Sequence, residues 1–163
     1  MPMSPYVRRL RETIGSAVLL LPAVTVLPLD ASGRVLLVRQ TYSDQWGTIG
    51  RAIDLDESPH DAAVDAALAE ANVAVSLGRV VGVLGGPSFR KTYPNGDEVA
   101  YVQIVFDAIV DGGTATPNGT TTSEAKWVQR DELAELELSP FAHAQFVALG
   151  WLRHWAADAD SGA

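Results

Sequence analysis

The stretch WGTIGRAIDLDESPHDAAVDAALAEANV, residues 46–73, joins a glycine-containing acidic loop to an alanine-rich run. Ser58 is a favourable N-cap and Pro59 suits the first helical position. Asp61 is placed to cap the first turn and to interact with the helix dipole. Asn72 can adopt the left-handed conformation that ends many helices. The stretch therefore predicts a helix over residues 59–71, preceded by an acidic loop.

Shorter periodic segments lie on both sides of this helix. Residues 4–13 have the spacing of an amphipathic helix, and two β-rich runs are separated by a turn-forming sequence typical of a hairpin. The predicted strands are residues 23–29, 34–39, 77–83, 99–110 and 124–128, with a loop over 41–57, turns over 85–98 and a last helix from Ser139 or Pro140 to Trp155. This order predicts an α/β (α+β) fold in which a mixed β-sheet packs between helices.

Length and charge limit the classes of function. The 163 residues fit one domain, 1–163, with an N-terminal helical segment at 1–15 and a frayed tail at 156–163. The absence of cysteine excludes disulfides and thiolate chemistry. We find no signal-peptide pattern or membrane-spanning run, so we expect a cytoplasmic protein without membrane contact. A formal net charge of −8 argues against nucleic-acid binding, whereas small phosphorylated ligands need only a few local cations.

The same stretch resembles the signature of the Nudix hydrolase family, G-x5-E-x7-R-E-U-x-E-E-x-G-U, in which U is a bulky aliphatic residue. Glu57 falls on the first signature glutamate, Glu70 on the last one and Val73 on the closing aliphatic position. The segments GRVLLVRQ, YPNGDEV and SEAKWVQRDELAEL also resemble family members, and the similarity extends over about residues 4–138. The resemblance implies a Nudix-type α/β/α sandwich.

Several signature positions carry other residues. Arg51 replaces the signature glycine, Asp65 and Ala66 replace the R-E pair, Ala69 replaces the first glutamate of E-E, and Asn72 replaces the late glycine. The register of the motif is therefore kept, but most of its charged residues are absent.

The resemblance implies hydrolysis of a nucleoside diphosphate linked to another moiety, with Mg²⁺ or Mn²⁺ as cofactor. Such ions neutralise phosphate oxygens and activate water, and they require several converging carboxylates. Positions 66, 69 and 70 would converge on a helix, but two of them are alanine. Candidate catalytic residues are Glu57 and Glu70, and candidate metal ligands are Glu57, Glu70 and Glu124. We therefore predict impaired or absent catalysis, and no metal requirement if the site is inactive.

Candidate substrate-binding residues are Arg39, Arg51, Trp46, Arg90 and Tyr93. Arg51, with help from Lys91 or one of the other arginines, could bind phosphate oxygens directly in place of a metal ion. A surface loop arginine is the ordinary alternative. Trp46 and Tyr42 could stack on a base or could anchor their own loop to the core.

Two classes of function stay open at this point. The first is a weak Nudix-type hydrolase, and the second is a non-catalytic protein that binds a nucleotide or phosphorylated metabolite or serves as a dimeric interaction module. The segment FAHAQFVALGWLRHW carries apolar residues that can pack on the sheet or on a second subunit, so a homodimer is a further expectation. Fold is common to both classes and does not decide between them.

Overall fold

The computed structural model describes residues 3–153. Its helices are α1 (Pro5–Ile14), α2 (Pro59–Ala71) and α3 (Pro140–Ala148), and its strands are β1 (Leu19–Leu29), β2 (Val35–Gln40), β3 (Trp46–Gly47), β4 (Ile49–Ala52), β5 (Val73–Leu84), β6 (Arg90–Thr92), β7 (Glu98–Gly113) and β8 (Thr122–Val128). Trp155 and the predicted tail, 156–163, lie outside the described residues. No helix within residues 3–153 is long and apolar enough to cross a membrane.

The strands form one mixed sheet whose main path is β3-β2-β1-β7-β5. The central strand β1 runs parallel to β7 and antiparallel to β4. Because successive side chains of a strand point to opposite faces, β1 contributes to two cores. Val24 and Val26 pack with the alanines of α2, whereas Leu27 packs with Phe146 of α3. The predicted mixed sheet between helices is therefore confirmed.

Helix α2 begins and ends at the predicted residues. The Ser58 hydroxyl oxygen accepts a hydrogen bond from the Asp61 backbone N–H at 3.1 Å, and Asn72 has a φ of 55°. The face toward the sheet consists mainly of small buried residues, Ala62, Ala63, Ala66, Ala67 and Ala71. Alanine is the strongest helix former, and its small side chain leaves room for α2 to pack directly on the strands. The helix thus fixes Glu70, in its last turn, relative to the sheet, and Glu57 lies directly before its N-cap.

Three short strands lie where the sequence predicted loops and turns. The segment 41–57 contains β3 and β4, and the segment 85–98 contains a short 3-10 helix, Pro87–Phe89, and β6. These predictions were wrong because each of these strands has only two to four residues and is stabilised by pairing with a longer strand, β3 with β2, β4 with β1 and β6 with β7. The expected β1–β2 hairpin is reduced to one pair, Leu29 with Val35, since β1 pairs mainly with β4 and β7.

The last helix is shorter than predicted. It ends at Ala148, and Gly150 follows with a φ of +74° in the left-handed region that favours glycine. The chain then turns back, so that the Trp151 N–H donates a hydrogen bond to the Phe146 carbonyl oxygen at 2.8 Å. The two rings stack with centroids 5.5 Å apart. The apolar pattern beyond Ala148 therefore belongs to core packing rather than to a continuing helix.

Candidate functional site

A cavity of about 650 Å³ is bounded by α1, β1, β4, α2, the β6–β7 hairpin and the start of α3. This volume is within the usual range of small-molecule sites, about 300–1,000 Å³. Three residues predicted for the site, Arg51, Glu70 and Tyr93, line the cavity together. The fold thus brings part of the signature and part of the YPNGDEV segment to one place.

Strand β4 places Arg51 against the start of α2. Gly50, its neighbour, lies so close to β1 that an added Cβ would collide with the Val24 carbonyl oxygen. The Arg51 guanidinium donates to both carboxylate oxygens of Glu57, with Nη1 2.8 Å from Oε2 and Nη2 bonded to Oε1. Its Nη1 also donates to the Ala52 carbonyl oxygen at 3.1 Å. Arg51 and Glu57 therefore form a bidentate ion pair, whose side chains are only 12% and 17% exposed.

This ion pair determines the ionisation of Glu57. The hydrogen bond from Arg51 holds the pKa of the Glu57 carboxyl below its usual range, against the opposing effect of burial. Asp65 lies at the edge of the pair, with its Oδ2 3.7 Å from Arg51 Nη2 and its side chain 66% exposed. Glu57 is therefore ionised beside Arg51, and Asp65 adds a second carboxylate at the exposed edge of this ion pair.

Glu70 occupies a different environment. It is 7% exposed, and burial raises the pKa of its carboxyl to about 7. A backbone hydrogen bond with Gly50 and the positive charges of Lys91 and Arg51 act in the opposite direction. The neighbouring signature positions contribute no carboxylate, because both are alanine: Ala66 is fully buried, and Ala69, the residue before Glu70, is exposed. Glu70 therefore lines the cavity as an isolated, partly protonated carboxyl group near neutral pH.

The other predicted site residues lie elsewhere in the described part of the chain, outside the cavity lining. Arg39 forms an ion pair with Asp44 at 3.0 Å and another with Glu124 at 2.8 Å. Trp46 is opposite Arg39 in the β2–β3 ladder and packs on the core beneath α3. Arg90 is an exposed residue of β6. Among residues 3–153, no group of three or more His, Asp or Glu side chains is placed to hold a metal ion.

Lys91 and two tyrosines form a second charged feature of the cavity wall. The Lys91 ammonium donates a hydrogen bond to the Tyr42 hydroxyl and lies 4.3 Å from the Tyr42 ring centroid and 4.9 Å from that of Tyr93. The Tyr93 hydroxyl is 2.6 Å from the hydroxyl of Tyr101, whose pKa is raised by burial. Within residues 3–153, Lys91 forms no ion pair with a carboxylate. Its charge is therefore not neutralised by a carboxylate of the described residues.

A buried hydrogen-bond network lies at the interior side of the cavity and was not predicted. The Gln145 Nε2 donates to Thr25 Oγ1 at 2.7 Å and to Gln103 Oε1 at 2.5 Å, and Thr25 Oγ1 donates to Gln103 Oε1 at 2.9 Å. Thr48 Oγ1 donates to Gln145 Oε1 at 2.5 Å. A signal was available, because Thr25, Gln103 and Gln145 are each a polar residue inside an apolar run.

The mixed sheet, the signature helix and the cavity between them define a Nudix-type domain. The NUDIX domain family model matches residues 19–150, most of the chain. The chain therefore belongs to the NUDIX domain family. Hydrolases of this family act on nucleoside diphosphate derivatives and generally use divalent metal ions.

Individual relatives agree with this assignment. Over 108 residues the chain is 32% identical to a Bacillus subtilis (strain 168) protein named "Putative 8-oxo-dGTP diphosphatase". That match covers 66% of this chain and 66% of the relative, just under two thirds of its length. The MutT protein from Methanosarcina mazei Go1 has a similar structure, with a TM-score of 0.66 and 17% identity over 82% of this chain and 95% of that one. An ADP-ribose pyrophosphatase from Streptococcus suis 89-1591 has a TM-score of 0.60 and 25% identity over 83% and 95%.

Proposed function

We propose that this chain binds a nucleotide or a related phosphorylated ligand in the cavity, and that metal-dependent hydrolysis is weak or lost. The observation that carries the proposal is the engagement of both Glu57 carboxylate oxygens by Arg51, next to signature positions that are alanine. The Arg51 guanidinium thus occupies the two Glu57 oxygens that would otherwise be available to a metal ion.

The oxygen donors at these positions do not fit a divalent ion of this family. In sites that process phosphates, Mg²⁺ is usually bound by one or two ionised carboxylates together with waters and substrate phosphate oxygens. Glu57 is paired with Arg51, and Glu124 is bonded to Arg39 outside the cavity. Glu70 is left as a single buried carboxyl whose raised pKa disfavours its charged form. We therefore assign no hydrolytic step through a metal ion to these residues.

The positive charge for an anionic ligand is best supplied by Lys91. Arg51 was the leading candidate from the sequence, but its two terminal nitrogens already donate to Glu57 and Ala52. Lys91 lines the cavity, has no carboxylate partner among residues 3–153 and lies beside the hydroxyl of Tyr42, a residue that is 54% exposed. An ammonium group of this kind is a suitable partner for phosphate oxygens.

Replacing Lys91 by Met should weaken binding of nucleoside diphosphates about 10- to 100-fold, because a hydrogen bond to a charged group contributes about 1.5–3 kcal/mol. Isothermal titration calorimetry on the full chain measures the effect. Lys126→Met is a matched control, since Lys126 is exposed on β8 and does not line the cavity. Equal affinities of the Lys91→Met variant and the unmodified protein would contradict the assignment.

A second candidate function is hydrolysis, and two observations favour it. Glu57 and Glu70 keep the signature register, and the Bacillus subtilis relative is named as a diphosphatase. A panel of nucleoside diphosphate derivatives, incubated with Mg²⁺ or Mn²⁺ and analysed for phosphate-containing products, separates the two functions. Turnover that is abolished by Glu70→Gln would establish the hydrolase, whereas binding without turnover supports our proposal.

The remaining expectations belong to the same proposal. We expect a cytoplasmic protein with a small phosphorylated ligand and without nucleic acid or membrane as partners. A homodimer stays a prediction, and size-exclusion chromatography with light scattering measures it directly. The apolar residues of the segment FAHAQFVALGWLRHW support a dimer less than the sequence suggested. One of them, Phe146, is fully buried within the subunit and is not available to a second copy.

A further inference from the structure

We propose that Gln103 is a specificity-determining residue, which donates a hydrogen bond from its amide nitrogen to an oxo group on the planar ring of the ligand. This inference rests on the proposed function, because it requires a nucleotide in the cavity. It adds two assignments to that function: which end of the cavity holds the base, and which chemical group of the base is bound there.

In the structure the Gln103 side chain presents its amide oxygen to two polar neighbours. Its Oε1 accepts one hydrogen bond from Thr25 Oγ1 at 2.9 Å and another from Gln145 Nε2 at 2.5 Å. Gln145 is held in turn by the Thr48 hydroxyl, which donates to Gln145 Oε1 at 2.5 Å. Both acceptor positions of the Gln103 oxygen are thus engaged, and the Nε2 donors are left for another partner.

The Gln103 nitrogen is an unusual group to leave without an acceptor. The residue is 1% exposed, and its Nε2 has no hydrogen-bond partner in the described part of the chain. Buried polar groups in proteins are nearly always hydrogen-bonded, and a group that is not requires a reason. Gln103 lines the cavity, so an acceptor on a bound ligand supplies that reason.

Aromatic side chains near Gln103 favour a planar ligand. Tyr101, two residues earlier on the same strand, also lines the cavity and packs edge-to-face on Phe141, with ring centroids 5.8 Å apart and an interplanar angle of 82°. Tyr93 adds a third ring and is bonded to Tyr101 through its hydroxyl. Aromatic walls with a small number of fixed polar groups are typical of sites for heteroaromatic rings.

The two ends of the cavity differ in exposure and charge. Tyr42, the partner of Lys91, is 54% exposed, whereas Gln103 and Thr25 are 1% and 3% exposed. Lys91 therefore lies toward the rim and the amide network lies in the interior. A nucleotide matches this arrangement when its charged phosphates lie at Lys91, near the rim, and its uncharged base lies at Gln103, in the interior.

A fixed N–H donor discriminates between bases by the group that faces it. An oxo group on the base accepts the hydrogen bond from this N–H. An exocyclic amino group is itself a donor, so the N–H of the protein and the amino group of the base both lack an acceptor. We therefore expect a preference for oxo-substituted bases over their amino counterparts. Inosine diphosphate and adenosine diphosphate are suitable probes, because the first carries an oxo group and the second an amino group at the same ring position.

The test is calorimetric titration of the full chain with each of these two nucleotides in the presence of EDTA. The unmodified protein should bind inosine diphosphate about tenfold more tightly than adenosine diphosphate. Gln103→Met, which keeps the side-chain length and removes the donor, should reduce this ratio to about one. Gln45→Met is the matched control and should keep the ratio, since Gln45 does not line the cavity.

The ratio of affinities does not depend on the fraction of folded protein, so it separates recognition from stability. If Gln103→Met does not fold, Gln145→Met replaces it, because loss of the positioning amide should also lower the ratio. Equal affinities for the two nucleotides, tighter binding of adenosine diphosphate, or an unchanged ratio in Gln103→Met would overturn the assignment of Gln103 alone. Failure of the unmodified protein to bind either nucleotide would overturn the proposed function as well.

Discussion

Replacing Glu70 by Gln should stabilise the protein at pH 8 by about 3 kcal/mol and leave its stability at pH 4 nearly unchanged. Glu70 has a pKa of about 7 in the folded protein against an ordinary value of 4.5. The folded state therefore holds this proton more tightly than the unfolded state. Below pH 4.5 the carboxyl is protonated in both states, and its contribution to stability is fully present. As the pH rises through 7, the buried carboxyl must ionise, and that contribution is lost.

Thermal unfolding at pH 4 and pH 8 measures this difference. For a chain of this length, about 3 kcal/mol corresponds to a rise in the melting temperature of about 6–12 °C. Glu135→Gln is the matched control, since it removes the same charge from an exposed position at the end of a 3-10 helix. If the Glu70→Gln variant is no more stable than the unmodified protein at pH 8, the claim that ionisation of the buried Glu70 carboxyl destabilises the folded protein is wrong.

Replacing Arg51 by Met should destabilise the protein at pH 7 by about 3 kcal/mol. Removal of one partner from a largely buried ion pair leaves the other charge without compensation, which usually costs about 3–5 kcal/mol. Glu57 would retain only the hydrogen bond from the Asp54 backbone N–H, at 3.0 Å. Because Arg51 lowers the pKa of Glu57, the stabilisation is present above the ordinary carboxyl pKa and is lost as the pH falls through the lowered value.

A double-mutant cycle isolates this ion pair. Arg51→Met with Glu57→Gln removes both charges, so the double variant should be clearly more stable than Arg51→Met alone. Urea denaturation of the four proteins at pH 7 gives the coupling energy. Additive effects of the two substitutions would show that Arg51 and Glu57 do not stabilise each other, and the account of the altered signature would then lose its main support.

The sequence predicts the fold where local signals and long apolar patterns agree. Ser58, Pro59 and Asn72 determine the ends of α2 through capping chemistry that acts within a few residues. Strands β3 and β4 have two and four residues, too few for a periodic signal, and they depend on pairing with β2 and β1. Gly150 was a local signal for the end of α3 that the apolar pattern beyond it concealed.

The site was predictable only in part, because some of its contacts join residues that are far apart in the sequence. The register of the signature places Arg51 and Glu70, and both line the cavity. The hydrogen bonds that orient Gln103, however, join residues that are 78 and 42 positions apart in the chain. No spacing rule connects such residues, because the parallel pairing of β1 with β7 and the packing of α3 bring them together.

The altered signature now has a physical interpretation. Ala66 supports the packing of α2 on the sheet, where it is fully buried, and Ala69 lies exposed. Arg51 neutralises Glu57, which leaves Glu70 alone and largely removed from water. The same segment that holds metal ions in the family thus forms one wall of a cavity in which we propose Lys91 as the cation that binds the ligand.

The central claim is that the cavity binds a nucleotide without a divalent metal ion. Calorimetric titration of nucleoside diphosphates into the full chain, in EDTA and again in MgCl₂, tests it most directly. We predict the same affinity under both conditions and no release of phosphate-containing product during the titration. Binding that appears only with Mg²⁺, together with product release, would contradict it.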